Sequence, residues 1–202
     1  ALDSPSVHSI VLEIDSPGGQ AAGIGELASM IREGSKSKPV VCYVSNLGAS
    51  AGYWLASAGS EVAVAPSAML GSVGVVLPVS KPNGASRTIE FVSSQSPHKR
   101  PNPETESGRA AIQANVDAMA DVFIAAVAEN RETTPEKVVS DFGGGGLLVG
   151  QAAVDAGMAD RLGSLEGCIA DLCRTHGKRM SNGGRAGSSM FTMPGATAEA
   201  SS

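Results

Sequence analysis

Along the first third of the chain, short runs of apolar, β-branched residues alternate with longer stretches whose apolar residues recur every three or four positions. Residues 9–14 (SIVLEI) are such a run, closed by Pro17-Gly18-Gly19, and predict a buried strand ending in a turn. Over residues 20–33, Ile24, Leu27 and Ile31 hold one helical face, and residues 40–44 (VVCYV) predict the next strand. A second unit follows, with a short helix over 50–58, a strand over 61–65 and a glycine-punctuated strand over 73–79. This alternation predicts an α/β fold built from βαβ units.

The pattern then loosens. Residues 88–93 predict one further strand, and 96–103 (SPHKRPNP) carry three prolines that exclude regular structure. From 105 to 130, Ile112, Val116, Met119, Phe123 and Val127 share one face, predicting the longest helix, packed on the sheet. Thr134 as cap and Pro135 in the first turn open a short helix to Asp141. The four glycines 143–146 precede Leu147-Leu148-Val149, after which 151–156 predict a small helix, 158–162 a closing strand and 164–176 a last helix. Beyond Gly177 the composition of Gly, Ser, Ala and Thr cannot offset ordering entropy. A single domain over 1–176 with a disordered tail over 177–202 is expected.

Composition narrows the function classes. With 42% apolar but only 3% aromatic residues among 202, the core is built from Ala, Val, Leu and Ile. A net charge of -5 without a block of like charges excludes a nucleic-acid footprint and leaves protein or small-molecule partners. Cys42, Cys168 and Cys173 fit no disulfide scaffold, which favours a reducing, cytoplasmic setting. No run of 18 apolar residues occurs, and residues 1–8 lack a signal peptide's basic and apolar regions, so no membrane segment is expected. Residues 143–146 lack a following GK[ST], and Gly23-Ile24-Gly25 is followed by a strand without the acidic residue that would hold a ribose. No metal-ligand spacing is present, and no cofactor is expected.

Two motifs carry chemistry. Asp15-Ser16-Pro17-Gly18-Gly19 sits at the C-terminal end of the first strand, where open α/β sheets place ligands. Gly48-Ala49-Ser50-Ala51-Gly52-Tyr53-Trp54 puts a serine at the start of a helix after another strand. The two motifs are one βαβ repeat apart and should face the same crevice. There they would offer a nucleophilic hydroxyl and two backbone donors for an oxyanion. Each has a plainer reading: a strand-to-helix turn, and a serine that only caps its helix. A nucleophilic serine needs a base. His8 precedes the first strand, His176 borders the tail, and His98 lies in the proline-rich loop, so lysine is the stronger candidate. Among Lys81, Lys99, Lys137 and Lys178, Lys99 is favoured modestly over Lys81, since it lies in a rigid loop beside Arg100 and a base lysine must be held neutral.

DSPGG, then GASAGYWLAS, then GSVGVV at residues 71–76 resemble, in order and spacing, the signal peptide peptidase A family of serine peptidases. The likeness extends through VAENR and GQAAVDAGMADRLG, and the His98-Lys99 pair is similar to the lysine segment of members that mature phage capsids. The resemblance implies a Clp protease/crotonase-like spiral, with Ser50 attacking the scissile carbonyl, Lys99 as base and Ser72 positioning the lysine. It implies oxyanion donors at Gly19, Gly18 and Ala51. It also implies self-association into homo-oligomers, and substrates that are signal-peptide remnants in the bacterial cytoplasm or scaffold and capsid proteins in a phage procapsid. Family domains carry strands upstream of the one ending in DSPGG, and the resemblance leads one to expect that these are either cut away here or supplied from elsewhere.

Three rivals stand beside this reading. GASAG fits the G-x-S-x-G elbow of an α/β-hydrolase esterase, with Asp160 and His176 as partners, although Ser45-Asn46-Leu47 separate the predicted strand from the elbow. A crotonase-type acyl-CoA enzyme would use the same backbone donors without a nucleophile. A catalytically inactive peptidase domain would serve as a scaffold or assembly module.

Overall fold

A computed structural model describes residues 1–79, 92–96 and 98–183, with side chains through Thr175 in the last helix. Six strands, β1 (Ile10–Ser16), β2 (Val40–Ala49), β3 (Glu61–Val64), β4 (Met69–Gly71), β5 (Leu147–Val149) and β6 (Arg161–Leu162), form one sheet. The helices are α1 (Ile24–Ser37), α2 (Ala51–Ser57), α3 (Glu106–Asn130), α4 (Pro135–Asp141), α5 (Gln151–Asp155) and α6 (Leu165–Gly183). The sheet is mixed: β1, β3 and β4 run parallel to β2, β6 runs parallel to β3, and β5 is antiparallel to β4. β1 covers one edge of β2 from Val40 to Gly48. The other edge is therefore shared in succession by β3, against residues 41–44, and β4, against residues 47–49.

Strand periodicity explains the layers. Cys42, Val44, Val62 and Val64 point to one face, where they meet Ala28 of α1 and Tyr53 and Trp54 of α2. Val41, Tyr43 and Ala63 point to the other, against Cys168, Leu165 and Leu172 of α6. Since both faces of β2 are covered, its apolar run is continuous rather than alternating, as expected for a buried parallel strand. Val44, Val62 and Val64 are fully buried, and each contributes about 1.5–3 kcal/mol by burial.

Several expectations are corrected. β2 does not stop at Val44 but continues through Ser45-Asn46-Leu47-Gly48 to Ala49, held there because Asp15 Oδ1 accepts from Leu47 N and Asn46 Nδ2, both at 3.2 Å. The strand expected over 73–79 lies earlier, at Met69–Gly71, where β2 and β5 supply a ladder on each side. Of the strand expected over 88–93, residues 88–91 are outside the described residues and 92–93 are not in a strand. α1 starts at Ile24 rather than residue 20, because Gly23 at φ 84° turns the chain just before it. α6 continues to Gly183, past the expected tail boundary at Gly177.

α3 begins where its cap dictates, with Thr105 Oγ1 accepting from Gly108 N at 3.1 Å. It packs on α1, α2 and α4 rather than on the sheet. Phe123 stacks on Trp54 of α2 at 4.6 Å, and Phe123, Val127 and Ala128 are buried, whereas Met119 is 47% exposed. Among the described helices α3 alone has the length and apolar content of a membrane-crossing segment.

One ion pair ties the far end of the sheet. Asp160 accepts from both terminal nitrogens of Arg131, at 2.7 and 3.1 Å, and from Val62 N at 2.6 Å. Partial burial alone would raise the Asp160 carboxyl, but the Arg131 guanidinium and the Val62 amide override it and hold it below the usual carboxylate range. A depressed folded-state value adds stability that is present above about pH 4, the unfolded range, and lost as pH falls through the lower folded value. Asp160→Asn is expected to cost ~2 kcal/mol at neutral pH, with the gap to wild type closing below about pH 4. Urea titrations at both pH values check this.

Candidate active site

β2 runs without a break into Ser50, and α2 begins at the next residue. The turn is sharp: Ser50 has φ 51° and ψ -124°, a region that non-glycine residues occupy rarely and at a cost of about 1–3 kcal/mol. The geometry lifts the side chain out of the strand-helix junction. The Ser50 hydroxyl has no hydrogen-bond partner among the described residues, so the strain holds a hydroxyl that is left for another group.

The DSPGG turn closes on this elbow, as the motif spacing predicts. Gly18 has φ 101°, and a Cβ built on it would lie 2.6 Å from Ser50 Cβ and 3.1 Å from Ala51 N. Only glycine permits that approach. The Gly18 amide donates to Ser16 Oγ at 3.2 Å and is spent within the turn. The amides of Gly19 and Ala51 have no partner among the described residues, and both residues line the same groove as Ser50. Of the three predicted donors, two are thus free for a ligand.

The groove has a volume of about 560 Å³. Trp54, Phe123, Val116 and Met119 form its apolar wall, and Ser72, at φ 52°, enters it beside Ser50. Among the described residues, no acidic, basic or histidine side chain lines it. Lys99 is exposed on the segment before α3, its amide donating to Ser96 O at 3.1 Å, and is not among the described residues that line the groove. Lys81 lies outside the described residues, and Lys137 sits exposed on α4. The described residues therefore bring Ser50, Ser72, Gly19 and Ala51 to one groove, with Gly18 packed against Ser50 and no lysine in its lining.

Other nucleophiles and acids are accounted for. Cys42, Cys168 and Cys173 are unpaired, and burial pushes the Cys42 thiol up to about 12, where it is inert. Asp160, the acid of the esterase reading, is bound to Arg131 near the N-terminal end of β3, whereas Ser50 follows the C-terminal end of β2. The gap that argued against an elbow is absent, because β2 reaches Ala49; the esterase reading lacks its acid instead. The side chain of His176 is outside the described residues. Sequence reasoning did not find the groove's Phe123–Trp54 stack, which joins residues 69 positions apart, nor the spent amide of Gly18.

Residues 32–177 match the family model described as peptidase family S49. The chain belongs to that family. Among its relatives, Capsid assembly protease C of Escherichia phage lambda is 31% identical over 169 residues, covering 80% of this chain and 38% of the relative. Head-tail preconnector protein GP5 of Enterobacteria phage P21 is 31% identical over 170 residues, covering 80% and 33%. Protease 4 of Salmonella typhi is 28% identical over 176 residues, covering 82% and 28%. The S49 chain thus spans roughly a third of the length of these relatives. The resemblance to signal peptide peptidase A and to phage capsid proteases, read from three short motifs, is borne out.

Proposed function

We propose that this S49 domain is a serine endopeptidase that acts through an acyl-enzyme on Ser50. The observation that carries the reading is the elbow itself: a strained serine with an unpartnered hydroxyl, set between the free amides of Gly19 and Ala51, opening into an apolar groove. Ser50 Oγ attacks the scissile carbonyl while a neutral lysine amine takes its proton. The Gly19 and Ala51 N–H groups hold the oxyanion. The ammonium then protonates the leaving amine, and water, deprotonated by the same lysine, releases the acyl group and restores the Ser50 hydroxyl.

Lys99 is the base in this reading, supported by the family resemblance and by its place beside His98, with Ser72 orienting the amine. Its segment must then meet the groove. The same reading takes the sheet and its βαβ units as a Clp protease/crotonase-like spiral. It includes self-association, and substrates among phage scaffold or capsid proteins or signal-peptide remnants, in a phage procapsid or the bacterial cytoplasm.

The sequence pattern, rich in Ala and Gly, suggests small side chains at the cleavage point, but the groove holds about 560 Å³ and is faced by the apolar side chains of Trp54, Val116 and Met119. Apolar side chains up to leucine size are expected beside the scissile bond. Digestion of a denatured protein mixture by wild type and Ser50→Ala, with mass spectrometry of the new termini, tests both points. Cleavage by wild type alone, next to apolar residues, is the expected result; charged residues beside the cut contradict the specificity, and equal cleavage by the two proteins contradicts the nucleophile. One observation favours a second reading, an assembly module without activity: no titratable side chain among the described residues lines the groove.

A further inference from the structure

The glycine run 143–146 has no part in the chemistry above, yet it ends on the groove. Gly143, Gly144 and Gly145 take φ values of 80°, 55° and 87°, a succession of positive angles that residues with a Cβ do not sustain. The turn closes by Gly146 N donating to Gly143 O at 2.8 Å, and Gly145 lines the groove. β5 then leaves antiparallel to β4, pairing Leu147 with Gly71, Leu148 with Leu70 and Val149 with Met69, and Gly150 N donates to Ala68 O at 2.9 Å. Turn and strand together strap the end of β4.

The strap's contacts converge on the two serines. Gly146 O accepts from Ser72 N at 2.7 Å, and Gly71 O accepts from Ser50 N at 2.9 Å. A Cβ at Gly71, which has φ 143°, would lie 2.2 Å from Gly146 O, so the strap lies directly on the backbone that joins the pair. Ser72 and Ser50 both hold positive φ, at 52° and 51°, and each has its amide fixed by this chain of carbonyls. A strap serving stability alone has no need to end on the amide of the one other hydroxyl-bearing residue in the groove.

We propose that the tetraglycine strap is a positioning element, in which the Gly146 carbonyl fixes Ser72 and, through Gly71, the angle at which Ser72 faces Ser50. This rests on the reading of Ser50 as nucleophile and Ser72 as the hydroxyl that orients its base. A small displacement of such a group lowers turnover more than it changes substrate affinity, since Trp54, Val116, Met119 and Phe123 of α2 and α3 keep their part of the groove's apolar wall while Val73, Val75, Val76 and Leu77, which follow Ser72, supply the rest.

Gly146→Ala tests it. Residue 146 has φ -83° and ψ -165°, open to alanine, and the new Cβ would meet only Gly143 O, at 3.0 Å, so the turn and its carbonyl shift while the core is untouched. Gly145→Ala reaches the same turn by backbone strain instead and guards against misfolding of the first variant. Gly157→Asn, at a left-handed position with φ 84° and open space around it but outside the strap and the groove, is the control. Turnover and KM on a fluorogenic peptide, and the rate of Ser50 labelling by a fluorophosphonate against pH, are measured for these, for Ser72→Ala and for Gly146→Ala/Ser72→Ala. The expected result is a kcat lowered about tenfold in Gly146→Ala with KM within about twofold, and a double variant no slower than Ser72→Ala. Gly157→Asn keeps wild-type turnover. Wild-type turnover in both Gly146→Ala and Gly145→Ala, or losses that multiply in the double variant, overturns the proposal while the nucleophile reading stands. Failure of the folded wild type to label at Ser50 overturns both.

Discussion

Ser50→Ala is expected to lower kcat/KM by on the order of 10⁴-fold or more and to leave the unfolding midpoint unchanged or slightly raised. The activity loss follows from removing the nucleophile; what remains comes from the Gly19 and Ala51 amides and from binding. The stability result follows from the site's geometry. The hydroxyl has no protein partner among the described residues, so its loss strands no buried donor or acceptor, while the Ser50 amide keeps its bond to Gly71 O at 2.9 Å. A serine used only as a helix cap behaves the opposite way, losing about 1 kcal/mol on conversion to alanine with no change in activity. Steady-state kinetics beside a thermal melt separate the two.

Gly18→Ala is expected to cost about 1–3 kcal/mol in stability and, on the order of 10²-fold, activity as well. The added methyl lies 2.6 Å from Ser50 Cβ and 3.0 Å from Ala49 O, and the φ of 101° is itself strained for alanine. Either the DSPGG turn or the elbow must move, and each carries one of the two free amides. Gly19→Ala provides the contrast, since nothing lies within 4 Å of its Cβ and the amide is retained. Its stability should stay within about 0.5 kcal/mol of wild type, and its activity should fall less than that of Gly18→Ala. Equal effects at the two glycines contradict the packing described.

The parts of the fold written in local pattern were legible. Residues 40–44 are a continuous apolar run because both faces of that strand are covered, and Thr105 and Thr134 cap their helices through their own side chains. What sequence periodicity cannot contain is the choice of partner. Residues 73–79 have good strand composition, but the available ladder positions beside β2 go to Met69–Gly71, and Leu77 and Val76 are left exposed. The extension of β2 through Asn46 and Leu47 depends on Asp15, 31 and 32 residues away, so polar residues that read as a loop are strand. α3 shows the same limit: its apolar face was legible, its target was not, because Phe123 meets Trp54 on a helix rather than the sheet.

The candidate site divides along the same line. Ser50, Gly19 and Ala51 were legible because strand C-terminus, glycine turn and helix start each leave a mark in the sequence, and one βαβ repeat brings two such marks together. Ser72 came from the family resemblance and does share the groove. Lys99 came from the same source and does not, since neither the resemblance nor the reading of a rigid loop specifies where an exposed segment lies. The Gly18 amide, expected as a donor, is engaged for a local reason: the hydroxyl of Ser16, two residues earlier, accepts from it at 3.2 Å.

The central claim, a nucleophilic Ser50 served by a lysine, is tested most directly by fluorophosphonate labelling from neutral to alkaline pH. The labelled residue is located by mass spectrometry in wild type, Lys99→Ala and Lys81→Ala. A single label on Ser50 is expected, lost in Lys99→Ala and retained in Lys81→Ala. A folded wild type that takes no label on Ser50, or undiminished labelling in Lys99→Ala, contradicts it.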